Sequence, residues 1–166
     1  ITASGSIVSS NIENVTTQAS GTVKKVYVSD GDTVVAGQKL AEIELDVQGE
    51  QNWLSSYSSY VSAQNGLNSA NNSYRSTQAN LENVYDQIEG HDNDETYAMK
   101  AQRTSAEVAN DNAWDNLKAA QLRLTAATVD IKTNSPTITA PSAGIIKSVT
   151  IAEGMNIGTS ETSSGS

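Results

Sequence analysis

Few residues in this chain occur in combinations that do chemistry. There is no cysteine and only one histidine, His91. A thiolate metal cage, a cysteine nucleophile and a Ser-His-Asp triad therefore lack their parts. His91 lies in Glu89-Gly90-His91-Asp92-Asn93-Asp94-Glu95, whose oxygens could in principle meet calcium. The run lacks the spaced ligands and central glycine of an EF-hand loop, so helix capping and solvation account for it, and His91 reads as a solvated turn residue. Glu42 and Glu44 share one face of a strand and imitate a catalytic pair, but no nucleophile or general base accompanies them. Ser29-Asp30-Gly31-Asp32 reads as a turn. Lys24 and Lys25 are too few to mark a basic patch. These residues predict no enzyme, no cofactor and no metal site.

What remains is scaffold, and composition limits its kind. The 166 residues carry a net charge of −9, which argues against nucleic acid or an anionic membrane surface as the main partner. Hydrophobic residues make up 37%, aromatics 5%, and phenylalanine is absent. One globular core of this length would hold more large apolar side chains. Charged residues are only 17%. The polarity comes from Ser, Thr, Asn and Gln, which suits an extracytoplasmic protein. No run reaches the roughly 18 apolar residues of a membrane span. The chain starts at Ile1 and ends in Ser163-Ser164-Gly165-Ser166. It reads as a piece of a longer protein, with 159–166 a Ser/Gly-rich tail or linker.

Glycine and proline punctuate the ends and spare the middle. From residue 50 to 143 the only glycines are Gly66 and Gly90, and both prolines, Pro136 and Pro141, lie near the C-terminus. On the flanks the pattern alternates with period two. Val26 and Val28 share one face, Lys25 and Tyr27 the other. Leu40-Ala41-Glu42-Ile43-Glu44-Leu45 also alternates, with Leu40 displaced by one. Both are half-buried strand signatures.

The middle repeats every seven residues. Trp53, Tyr60, Leu67, Tyr74, Leu81 and Ile88 form a bulky row, and Ser56, Ala63, Ala70, Thr77 and Val84 a small row three residues on. Downstream, Met99, Ala106, Ala113, Ala120 and Ala127 form a second small row, with Leu117, Leu124 and Ile131 as its bulky partner. The spacing predicts two helices meeting on one coiled-coil-like seam. About 40 residues each would give helices of roughly 60 Å. Gly90 suits a C-cap, and Asp92 with Glu95 resembles a capping box opening the second helix. An antiparallel hairpin over 47–134 follows, its tip at about 89–95. The many asparagines (Asn65, Asn68, Asn71, Asn72, Asn110, Asn112, Asn116) lower its intrinsic stability.

The two flanks are copies of one another. Residues 19–34, ASGTVKKVYVSDGDTV, align without a gap on residues 142–157, SAGIIKSVTIAEGMNI, at a constant offset of 123. Gly21 matches Gly144, Lys24 matches Lys147, Asp30 matches Glu153 and Gly31 matches Gly154. These four glycines are the expected structural turns. Neither unit buries its apolar face alone, so two of them related by a pseudo-two-fold axis predict one small β-sandwich, split in sequence by the hairpin.

The pattern S-G-T-V-x-x-V-x-V-x-x-G-D-x-V-x-x-G-Q-x-L-x-x-I at residues 20–43 resembles the biotinyl/lipoyl domain, and Ala140-Pro141-Ser142-Ala143-Gly144 resembles its returning half-motif. A lipoyl domain interrupted by a long helical hairpin is similar to the periplasmic adaptor subunits, or membrane fusion proteins, of the HlyD-like superfamily. Among these it looks most like the MacA-type adaptors of ABC exporters. The resemblance implies an α+β fold: a lipoyl-like (barrel-sandwich hybrid) β-domain over 1–46 and 135–158, split by the antiparallel α-helical hairpin. It implies a non-enzymatic, extracytoplasmic part of a membrane-anchored export adaptor. Partners implied are an ABC-type or RND-type transporter, further copies forming a ring (a hexamer), and an outer channel or the cell wall at Glu89, Gly90, His91, Asp92, Asn93, Asp94 and Glu95. Alternatives are a lipoyl or biotin carrier domain and a structural coiled-coil surface protein. Against the carrier, Glu44-Leu45-Asp46-Val47 has valine where the modified lysine of such domains falls. Of the Arg…Leu…Ser constellation at the tip of channel-docking adaptors, Ile88 takes the Leu place, while the Arg place falls near Val84. That leaves a single-membrane envelope open as well.

Overall fold

The computed structural model describes residues 12–90 and 95–158. The chain divides into a β unit, made from both flanks, and a helical unit spanning 51–132. His91, Asp92, Asn93, Asp94 and the tail 159–166 lie outside the described residues.

In the β unit, β1 (Gly21–Val26), β3 (Lys39–Leu45), β4 (Thr137–Thr139) and β6 (Asn156–Ile157) form one sheet in the order β4-β3-β1-β6, and β2 (Thr33–Val34) pairs with β5 (Gly144–Ile145) in a second. All pairings are antiparallel. The predicted two-fold repeat is present in the hydrogen bonds. Val23 N–H donates to Met155 O, and Gly154 N–H to Val23 O. Their counterparts at the 123-residue offset, Ile146 N–H to Asp32 O and Gly31 N–H to Ile146 O, are equally formed. The β1–β6 and β2–β5 ladders are likewise mates: Thr22 pairs with Asn156 as Ile145 pairs with Thr33. Gly31 and Gly154 turn at φ 90° and 83°, in the left-handed region that a side chain disfavours. The other glycine pair is less alike. Gly21 is buried at φ 152°, where a Cβ would strike the Glu44 carbonyl, whereas nothing stands near Gly144.

The displaced Leu40 has a structural cause. The β3–β4 register shifts between Lys39 and Ala41, so Leu40 is the extra residue of a β-bulge and both Leu40 and Ala41 turn inward. Leu40 packs with Val34 and Ala140, and Val28, Ile138 and Ile146 close around them. Val23, Ala41 and Ile43 add further buried surface. At roughly 1.5–3 kcal/mol per buried large aliphatic side chain, so small a core holds only a small domain.

The helical unit is built from two long helices, α1 (Val47–Ile88) and α2 (Tyr97–Thr133), whose outer ends belong to the β unit. Ala106, Ala113, Ala120 and Ala127 are the buried residues of α2, and Val84 is buried on α1. The bulky residues Trp53, Tyr60, Leu67, Tyr74, Leu81, Ile88, Leu117, Leu124 and Ile131 are half-buried. Large side chains over a floor of alanines thus form the seam. Cross-links fix the antiparallel direction: Tyr74 lies against Trp114 with ring centroids 5.2 Å apart, Thr77 Oγ1 meets Asn110 Oδ1 at 3.4 Å, and Gln102 meets Gln87 at 3.2 Å. One sequence expectation is corrected. The cap of α2 is Thr96, whose hydroxyl accepts the Met99 N–H. Glu95 sits one residue outside that cap and is engaged elsewhere.

Candidate functional site: tip, groove and base of the hairpin

At the tip, α1 ends with Glu89 N–H bonded to Tyr85 O, and Gly90 follows at φ 87°. Glu89 and Gly90 are exposed and Ile88 is half-buried. Beyond the undescribed 91–94, Glu95 is gripped by Arg103. The guanidinium Nε and Nη2 donate to the two Glu95 oxygens at 2.9 and 3.1 Å, and Nη1 reaches Glu107 Oε1 at 3.3 Å. From α1, the Tyr85 hydroxyl donates to the same Glu107 oxygen at 3.0 Å. The Arg103 hydrogen bond holds the Glu95 carboxyl below its usual range, and the bond to Glu107 pushes the Tyr85 phenol up. Sequence reasoning missed this clasp: Glu95 lies before α2, so no helical spacing links it to Arg103. Val84, at the expected arginine place, is 4% exposed. Tyr97, the first residue of α2, is 95% exposed. It lies just outside the predicted tip set.

Along the proximal half of the hairpin runs an open groove. Ser59, Ala63 and Gly66 line it from α1, and Ala120, Arg123 and Ala127 from α2. None of the hairpin's aromatic side chains lines it. Residues 51–74 of α1 carry no charged residue at all.

The launch of α1 is anchored by Asp46. Its Oδ1 accepts the Gly49 N–H at 2.7 Å as an N-cap, and its Oδ2 accepts the Ser20 hydroxyl at 2.6 Å. The Ser20 hydroxyl, and then the Gly49 N–H, hold the Asp46 carboxyl below its ordinary range. A group depressed in the folded state stabilises above its unfolded pKa, and that stability is lost as pH falls through the folded value. The β unit is therefore expected to weaken in acid below about pH 4, and Asp46→Asn to flatten that part of the profile, read by circular dichroism melts from pH 2 to 7. Val47, at the carrier-lysine place, opens a helix and is 75% exposed, with no hairpin turn beneath it.

Among the described residues, no group of three His, Cys, Asp or Glu side chains could hold a metal ion, and no helix is long and apolar enough to cross a membrane. The CusB barrel-sandwich hybrid domain family matches residues 12–162. No curated protein matches. Solved structures similar to the chain include MacA from Actinobacillus actinomycetemcomitans (24% identity, 93% of this chain and 47% of that one, TM-score 0.37). Others are ZneB from Cupriavidus metallidurans (19% identity, 86% and 54%, TM-score 0.35) and the membrane fusion protein Spr0693 from Streptococcus pneumoniae R6 (20% identity, 84% and 53%, TM-score 0.25). The chain spans about half the length of these structures. With the family matched over nearly the whole chain, a β-domain of two half-motifs and an inserted hairpin, this chain belongs to the CusB barrel-sandwich hybrid domain family.

Proposed function

We propose that this chain is the hairpin-bearing part of a non-enzymatic adaptor that works outside the cytoplasmic membrane and joins an ABC-type exporter to the outer envelope. The observation that carries the reading is the hairpin itself. It stands where a carrier domain has its lysine turn, and its proximal half leaves uncovered a groove whose α1 wall is small and uncharged (Ser59, Ala63, Gly66), with Arg123 and Asp130 on the α2 side. Further copies pack their hairpins side by side through such faces into a ring, with six copies expected. The tips, at residues 89–95 with Tyr97 beside them, meet the outer channel or the cell wall. The adaptor holds a sealed path and relays conformational change, while the transporter supplies the energy.

Three measurements test this. Replacing residues 89–94 in the full-length parent by a Gly/Ser loop of the same length, which keeps Glu95 and its Arg103 clasp, should abolish export while the melting profile is kept, and unchanged export would remove the tip from the mechanism. Affinity purification of the parent should bring down an ABC permease and its ATPase; recovery of an RND pump instead would correct the transporter class. Coexpression with lipoate and biotin ligases should leave the intact mass unchanged, because Val47 offers no amine. Any lipoyl or biotinyl adduct would favour the carrier.

A further inference from the structure

The charges of the hairpin are sorted by distance from its base. Among the described residues, the distal stretch 79–90 with 95–115 carries seven acidic residues and two basic ones. The proximal stretch 51–78 with 116–132 carries four basic residues and one acidic one. The sign changes along single lines of the surface. Leu54, Val61, Arg75 and Glu82 stand at multiples of seven residues on α1, with Asp86 one turn beyond, and Asp111, Lys118 and Lys132 do the same on α2. Each line therefore runs from basic near the base to acidic near the tip.

None of these residues lines the groove, and neither do Tyr57 and Trp114. Leu54, Tyr57 and Trp114 are 52%, 49% and 43% exposed. The ion pairs among the described residues join Lys24 and Lys39 to Glu42, and Arg103 to Glu95 and Glu107. They leave Arg75, Glu82, Asp86, Asp111, Lys118 and Lys132 to face outward. Of these, Lys118 lies over the Trp114 ring, 5.3 Å from its centroid, so the basic half is aromatic as well.

We propose that two copies of this chain pair through this surface with their hairpins antiparallel, the acidic distal half of each on the basic, aromatic proximal half of the other. A surface whose charge reverses along its length is complementary to its own copy turned by a two-fold rotation, which is an isologous interface. Parallel copies would set acid against acid over the distal half, at separations within the Debye length of roughly 8–10 Å. Exposed ion pairs contribute little each, so charge sets the direction of pairing, and burial of Leu54, Tyr57 and Trp114 supplies the contact. The size suffices. Two helices of about 60 Å, together about 20 Å wide, present roughly 1,200 Å², against about 800 Å² per partner in a standard interface. The pairing goes beyond the adaptor reading and does not rest on it. A chain so paired has this side covered, and must separate before its hairpin can line up in parallel with others.

Sedimentation of the 166-residue chain tests the sign of the effect. The parent should form a dimer at about 50 mM salt that weakens at least roughly tenfold at about 500 mM. Replacing four exposed distal acids together (Glu82→Gln, Asp86→Asn, Asp111→Asn and Asp115→Asn) should weaken it by a similar factor with the helical ellipticity kept. Parallel association predicts the reverse, a dimer strengthened by salt and by loss of these acids, and that result overturns the proposal. So does a chain that stays monomeric up to about 1 mM. Direction is read independently, because the chain has no cysteine and takes single spin labels cleanly. Ser55→Cys and Asn83→Cys lie on the exposed surface of α1, about 42 Å apart along the helix. A mixture of the two labelled chains should show a short inter-chain distance, under about 25 Å, that neither labelled chain shows alone. A short distance within one labelled population overturns antiparallel pairing and favours side-by-side packing of parallel hairpins instead.

Discussion

Gly49→Ala is expected to destabilise the β unit by about 2–4 kcal/mol, whereas Gly66→Ala should stabilise the helical unit by roughly 0.5–1 kcal/mol. Both glycines lie in α1, and helix propensity alone favours alanine at each. The sign is set by what the new methyl meets. At Gly49 a Cβ would run into the Ser20 backbone carbonyl, with the Leu45 side chain at 3.1 Å on another side. Ser20 cannot retreat cheaply, because its hydroxyl and its carbonyl are both bonded to Asp46. At Gly66 nothing lies within 4 Å. Urea melts of the two variants beside the parent chain decide it. Equal shifts of the same sign would mean that Ser20 and α1 do not approach as described.

The second large effect concerns the seam. Ala113→Asp should cost more than about 3 kcal/mol and melt the hairpin at room temperature, because it places a charge where no partner waits. Ala113 is 6% exposed, with the half-buried Tyr74 and the Trp114 ring in contact nearby. Ala109→Asp, at an exposed position four residues earlier on the same helix, should stay within about 0.5 kcal/mol of the parent chain. Helical ellipticity at 222 nm against temperature reads both. A fully helical A113D protein would show that the alanine row is not the buried floor.

The hairpin and the repeat were legible in the sequence because each rests on a period. Seven-residue spacing places Ala106, Ala113, Ala120 and Ala127 on one buried line, and a fixed offset pairs Gly31 with Gly154 through matching hydrogen bonds. What stayed hidden depends on particular side chains meeting across the fold. Strict alternation assigns Leu40 and Ala41 to opposite faces, and only the bulge brings both inside. Asp92 and Glu95 have the letters of a capping box, yet the cap is Thr96, and Glu95 is paired with Arg103. Gly49 looked like any helix glycine, and its reason is a carbonyl 29 residues away in sequence. A pattern of apolar residues reports burial; it says little about which polar group finds which.

The reciprocal carboxylate bonds also bear on how the chain folds. Asp30 accepts the Val149 N–H, and Glu153 accepts the Val26 N–H at 3.2 Å. Each half thus completes a strand end of the other across 119 and 127 residues of sequence. In an open chain that closure carries the entropy of a long loop. If α1 and α2 zip first, their local contacts take residues 51–132 out of the loop. What is left is about a third of its length, which lowers the closure cost by roughly 1 kcal/mol. The hairpin would then act as a folding clamp for the domain that carries it. Seam variants such as A113D should slow formation of the β unit in stopped-flow refolding, although they touch none of its residues; an unchanged rate would mean the halves find each other without the clamp.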